Sequence, residues 1–247
     1  MLAENLQTIE TTGANARVLE LQARIRSMQA TTLDSKALPT LPALASILPG
    51  GALRQGSVYS LAGSTTLAMA LLAAPSAAGS WCGVVGAPDF GIEAAARFGI
   101  ELERLVLAPS PGDQWLTVTA ALADVLTVVV TRPPRRVGDA DAARLSARLR
   151  QRGATLLVLG DWPGSDATLR LDGGDWQGLG DGHGHLSGRE ATVTATGRLG
   201  FDRPRTARLW LPDAHSAFRA AGSAAATGPM PAGVIPLRRA AGFDGLT

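Results

Sequence analysis

Lysine is almost missing from this chain: Lys36 is the only one, and the other 22 basic residues are arginine. No lysine therefore stands downstream of position 36 to reach the outer phosphates of a nucleotide held in a glycine loop. Cysteine is limited to Cys82, which excludes an internal disulfide and a Cys-x-x-Cys metal site and fits a reducing compartment. Histidine occurs three times, all between positions 183 and 215, too few and too clustered for a hydrolytic triad. Ser64, Ser76 and Ser146 have no G-x-S-x-G context, and Cys82 sits in an apolar run, where a thiol acts as core. Aromatic residues make up 4% of a chain that is 46% hydrophobic, so the core has to be assembled from Ala, Leu and Val. The longest apolar stretch, Leu67–Gly79, is too short for a membrane span and contains Pro75. No basic segment followed by an apolar region marks a leader after Met1, and a cytoplasmic protein is expected. The formal charge of +2 gives weak grounds for nucleic-acid binding.

What is present suits one medium domain with tails: an N-terminal helix and linker over 1–37, a core over 38–218, and a flexible tail over 219–247. Val18, Leu21, Ile25 and Met28 form an apolar stripe at helical spacing, with Arg17, Arg24 and Arg26 around it. That stripe covers its own domain or a neighbouring subunit; self-association is the preferred reading. Pro39, Pro42 and Pro49 make 31–49 a linker with at most one helical turn at 43–48.

The core alternates short apolar runs with helical segments. Strands are predicted at 57–61, 81–85, 105–107, 126–130 and 155–159. Helices are predicted at 64–74 (ended by Pro75), 90–98 (closed by Gly99), 115–124 and 139–151 (with Asp139 as N-cap). This alternation defines an α/β doubly wound, mainly parallel sheet flanked by helices. Period-two alternation at 168–171, 191–198 and 206–211, with Gly-rich connections, predicts an antiparallel C-terminal extension. From Ala220 onward Ala, Gly, Pro and Arg dominate, and a disordered tail is expected.

The stretch from Gly50 to Leu67 reads as glycine turn, strand, glycine loop and helix start, the order that holds a phosphate at a helix N-terminus. A working P-loop needs G-x-x-x-x-G-K-[ST]. Here Ser64 follows Gly63, the spacer looks about two residues short, and only Gly56, Gly63, Thr65 and Thr66 remain of the pattern.

Together with Leu38-Pro39-Thr40, Leu48–Gly56, Glu93–Ile100 and Val128–Val130, this order over 38–212 resembles the core of the RecA recombinases. The departures fall on the chemistry. Ser64 stands where that family has its Walker A lysine, and Thr131 replaces the acid after the Walker B strand. Gly86-Ala87-Pro88, with Asp89 one position later, occupies the place of the catalytic carboxylate. Several losses at separate motifs imply a dead ATPase without nucleotide cofactor; the rival is a weak site using Arg54 or Arg97 in place of the lysine.

A degenerate RecA-like core with an added N-terminal helix, a shortened loop after Leu159 and a low-complexity tail is similar to the ImuA family, more closely to its ImuA-prime branch. The resemblance implies a non-enzymatic, nucleoid-associated accessory of damage-induced translesion synthesis (SOS mutagenesis). Its partners would be an ImuB-type Y-family polymerase homologue and, indirectly, an error-prone C-family polymerase. SulA-like cell-division inhibitors are RecA-fold relatives without ATPase motifs and give a rival function; a weak single-stranded DNA- or nucleotide-binding module is another.

Three surfaces are candidates. Arg132, Arg135 and Arg136 flank Pro133-Pro134 at the place of a DNA-contacting loop in the recombinases, although no aromatic residue there could stack a base. Arg144, Arg148 and Arg152 form a basic ridge at four-residue spacing. In the tail, Val234, Ile235, Leu237 and Phe243 are apolar anchors for a partner. Asp181, His183 and His185 at a Gly-rich hairpin tip are read as loop residues, with no metal.

Overall fold

The computed structural model describes residues 37–180, 183–198, 201 and 203–222. The helix with Val18, Leu21, Ile25 and Met28 and the tail anchors Val234, Ile235, Leu237 and Phe243 lie outside the described residues.

Eleven strands are present: β1 (Ala37–Leu38), β2 (Leu53–Arg54), β3 (Val58–Ser60), β4 (Cys82–Val85), β5 (Leu105–Ala108), β6 (Val128–Thr131), β7 (Thr155–Val158), β8 (Ala167–Gly180), β9 (His183–Gly197), β10 (Arg205–Trp210) and β11 (Arg219–Ala220). The helices are α1 (Pro42–Ala45), α2 (Thr65–Ala77), α3 (Ile92–Arg97), α4 (Trp115–Ala123) and α5 (Asp139–Arg152). Strands β3 to β11 form one nine-stranded sheet in the order β11-β10-β9-β8-β3-β7-β6-β4-β5. Pairing is parallel from β5 through β8 and antiparallel from β8 to β11.

The parallel strands β4, β6 and β7 are buried at every position, which is why their sequences read as unbroken apolar runs rather than alternating ones. One face of the sheet packs on α1, α2 and α3, with Leu67, Leu71, Leu72, Val84, Val130 and Leu157 in a shared cluster. The other packs on α4 and α5, with Val85, Val129, Leu145, Leu149, Leu156 and Trp162. Helix α2 is buried all round from Leu67 to Ala73, as a helix without a polar face must be. The helix α5 is amphipathic instead, burying Ala142, Leu145 and Leu149. Its first turn carries Asp139 and Asp141 and its last carries Arg150 and Arg152, each sign matched to the helix dipole.

Five details differ from the sequence expectation. Pro75 does not end α2, which runs on to Ala77; a proline one turn from the C-terminus forfeits only the Leu71 carbonyl's acceptor role. Gly138, not Asp139, occupies the N-cap of α5. The supposed linker belongs to the core: β1 pairs antiparallel with β2, and Leu38, Leu44, Ile47, Leu48 and Leu53 are buried. Its prolines limit helix length without removing the apolar residues that must be covered. The Gly-rich connection after Leu171 is strand as well. It continues β8 and β9 into a long hairpin with register irregularities between Asp172 and Asp175 and between Gln177 and Leu179, where glycine admits the bulge geometry. The ordered chain also passes residue 219, since β11 pairs with β10.

Among the described residues no helix is long and apolar enough to cross a membrane.

Candidate functional site

In an open α/β sheet the ligand crevice lies beyond the C-terminal ends of the parallel strands. Here that rim is built by the segments after β3, β4, β6 and β7. After β3 the chain passes through Leu61, Ala62, Gly63 and Ser64 straight into α2. Ala62 has φ +44° and Gly63 φ +82°, a tight left-handed step in place of a wide phosphate cradle. Ser64, at the position of the Walker A lysine, is the N-cap of α2 and accepts the Leu67 N–H at 3.2 Å. Its hydroxyl thus serves its own helix. Gly56 lies at the other end of β3: its N–H donates to the Ala154 carbonyl at 3.0 Å, and a Cβ there would stand 3.0 Å from Arg150 Cα. Gly56 and Gly63 therefore do not share one loop.

Thr65 opens α2, and Thr66 follows it. Over Thr65 lies the Arg132 guanidinium, whose Nη2 donates to Thr65 Oγ1 at 3.4 Å while Nη1 is ion-paired with Asp89. A helix N-terminus repels a cation, so Asp89 supplies the compensating charge. The hydrogen bond from Arg132 holds the Asp89 carboxyl below its ordinary range. The Asp89 carboxylate is thus committed to an arginine, and that arginine reaches the N-terminal end of α2.

Thr131 ends β6 and is fully buried. Its register partners are Val85 on β4 and Val158 on β7, and Val158 in turn pairs with Ser60. Trp115 Nε1 donates to Thr131 Oγ1 at 2.7 Å. Thr119 Oγ1 donates to the Trp115 carbonyl at 2.8 Å and lies 3.4 Å from Thr131 Oγ1. Trp115 also stacks at a tilt on Trp162, with centroids 6.4 Å apart. Thr131 is thus a neutral hydroxyl held inside a buried indole cluster. The same packing fixes Gly86, at φ +72°, whose Cβ would approach the Arg132 carbonyl to 2.6 Å and Trp115 Cδ1 to 3.2 Å.

Two clefts open on this rim. One of about 490 Å³ is lined by Pro88, Pro111, Trp115, Arg132 and Arg136 among others; a second of about 720 Å³ is lined by Arg135, Arg136, Asp161 and Trp162. Neither is lined by a residue of 61–66. Arg135 and Arg136 are exposed and face both clefts, whereas Arg132 is half-buried and occupied by Asp89.

The proposed basic ridge on α5 is largely neutralised. Arg148 and Arg152 both pair with Asp124, and Arg144 pairs with Asp141. Sequence spacing shows which residues share a helix face; it does not show Asp124 arriving from the end of α4. Arg54 packs beside Gly50, and Arg97 lines a groove with Trp176. No cluster of His, Cys, Asp or Glu suited to a metal occurs among the described residues. His183 and His185 lie in β9 rather than in a loop, and Asp181 lies outside the described residues. Asp89, Trp115 and Trp162 were the residues that sequence reasoning missed as site partners. Asp89 and Arg132 are 43 positions apart, with nothing in either local pattern to join them.

The strand order, the two helical layers and a helix launched directly from the central strand β3 place the chain in the RecA-like α/β class. It superimposes on the crystal structure of the RadB recombinase with a TM-score of 0.54 at 17% identity, covering 72% of this chain and 96% of that one. Residues 46–164, from the approach to β2 through the segment after β7, match the model of the MT3502 N-terminal domain family. An uncharacterized protein of Mycobacterium tuberculosis, Rv3395c, is 40% identical over 127 residues, covering 50% of this chain and 62% of that protein. A UDP-N-acetylmuramate–L-alanine ligase of Mycolicibacterium gilvum is 39% identical over 111 residues, 44% of this chain and 21% of the ligase. The chain thus spans less than two thirds of either relative.

Proposed function

We propose that this chain is a non-catalytic, RecA-like accessory of an error-prone translesion synthesis complex, acting as a scaffold that binds an ImuB-type Y-family polymerase homologue. The observation that carries the loss of catalysis is the Arg132–Asp89 pair over Thr65. It fills the phosphate end of the fold with the protein's own cation and takes up the nearest acid. The self-capped Ser64 and the indole-bound Thr131 support the same reading, because Mg²⁺–triphosphate binding needs a lysine, an acid and a loop of free backbone N–H groups. A fold kept without its chemistry is put to use as a surface. The partner itself rests on the resemblance to the ImuA family.

Two measurements test the proposal. Titration of the full chain with ATP–Mg²⁺ in a calorimeter should give no heat of binding, and micromolar binding refutes the pseudo-ATPase. Co-purification with an ImuB-type homologue should give a stable complex, and its absence removes the scaffold.

A second reading, a weak single-stranded DNA contact, is favoured by Arg135 and Arg136, exposed at the mouths of both clefts. Each phosphate contact contributes about −0.7 to the slope of log K against log salt. Replacing both arginines with Ala should flatten the slope by about 1.4; an unchanged slope dismisses this site.

A further inference from the structure

A groove of about 350 Å³ separates α3 from the β8–β9 hairpin. Arg97 and Phe98 form one wall, Trp176 and Leu186 the other, and Pro212 and Asp213 contribute to the base. Its two large apolar residues are unusually bare: Trp176 is 49% and Leu186 54% exposed. Adjacent exposed side chains of this size mark a surface that something covers.

The last described strand, β11, starts beside this groove and runs along β10 as far as Arg208. Arg219 of β11 is bonded to Asp213 at 2.7 Å, and the Phe218 ring lies 4.6 Å from that of Phe98. Beyond Gly222 the sequence supplies few large apolar residues, and Val234, Ile235 and Leu237 are a compact set of them. The span from Gly222 to Val234 can reach up to about 40 Å, enough to turn back along the short strand β11 to the groove. Arg238 and Arg239 follow the apolar set, and Glu93 at the groove rim forms no ion pair among the described residues.

We propose that the segment Val234–Leu237 of this same chain docks in the groove and covers Trp176 and Leu186, with Arg238 or Arg239 against Glu93. A short tether gives an effective concentration of about 1 mM, so even a weak contact is made in cis rather than between copies. An external partner that takes the tail anchors has to draw them out of the groove first. This inference does not depend on the translesion reading.

Cysteine cross-linking in the full chain tests it, because Cys82 is buried and stays silent. Ser187→Cys at the rim is combined with Pro236→Cys, which leaves the three anchors intact, or with Ala226→Cys as a nearer tether control. Docking predicts an intramolecular disulfide about tenfold faster for the position-236 pair than for the position-226 pair. Replacing Val234, Ile235 and Leu237 by Asp should erase that advantage, with an unchanged Tm as the check that the core is intact. Equal or faster closure from position 226 overturns the proposal, since a passive tether favours the shorter span. Disulfides formed only between chains overturn it too, and assign the groove to a second copy.

Discussion

Thr131→Val isolates the hydrogen bond that occupies the former acid position. The replacement keeps volume and β-branching while removing the acceptor of Trp115 Nε1, a 2.7 Å bond between groups 6% and 0% exposed. Thr119 Oγ1, which donates to the Trp115 carbonyl, makes no hydrogen bond with Trp115 Nε1, so the indole would have to shift to reach it. A buried donor left without an acceptor costs about 1–3 kcal/mol, and the added methyl returns up to about 0.8 kcal/mol. The net loss is about 1–2 kcal/mol. A domain of this size shifts by about 2–4 °C per kcal/mol, so Tm should fall by about 2–8 °C in a calorimetric scan. Trp115→Phe removes the donor instead. With both changes the unpaired group is gone, and the double variant should be more stable than the sum of the single losses by about 1 kcal/mol. A Tm unchanged by Thr131→Val, or strict additivity, would falsify the claim that this bond closes the site.

Other outcomes follow from the same structure. Thr131→Asp should not give Mg²⁺-dependent nucleotide binding by equilibrium dialysis, because one restored acid leaves Ser64 and Arg132 in place. Gly86→Ala, which drives a Cβ against a backbone carbonyl at positive φ, should cost about 2–4 kcal/mol in urea unfolding. Gly83→Ala is crowded mainly by the Leu126 Cδ1 methyl at 2.6 Å, with Leu122 Cδ1 and the Val106 carbonyl in ordinary contact at 3.5 and 3.8 Å, and should cost less, about 1 kcal/mol; the reverse order refutes the placement of Gly86. Burial raises the Asp213 carboxyl's pKa, but the hydrogen bonds from Ala217, Arg219 and His215 outweigh it and leave the pKa lowered. A lowered carboxylate stabilises the fold above its unfolded pKa of about 3.9 and ceases to do so as pH falls through the folded value. Asp213→Asn should therefore destabilise at pH 7 and converge with the unmodified chain in acid, as measured by Tm against pH. Ala62→Gly should raise Tm slightly, since glycine adopts the observed φ without the alanine's cost of about 1 kcal/mol.

The parallel half of the fold was legible because burial on both faces leaves a plain signature: the runs at Val128–Val130 and Leu156–Val158 have no alternative use in a chain of this length. A helix end was legible where a residue has one strong role, as with Gly99, at positive φ. The hairpin from Gly173 to Gly184 was not, because glycine carries no side-chain period to read. At Ser64 and Thr131 the sequence showed departures from the recombinase pattern. What fills the gap was hidden, because Trp115 and Arg132 meet their partners through the packing of strands β4 and β6 rather than through any local spacing.

The nine-stranded sheet finishes on β5, four residues running into Pro109-x-Pro111, and on β11, only two residues long. Both terminal strands are short edges; among the described residues the longer open edge lies on β8, which beyond Thr168 pairs only with β9. Strand addition at either end of the sheet would therefore be short, and any longer backbone pairing with another segment would have to run along the free side of the β8 arm.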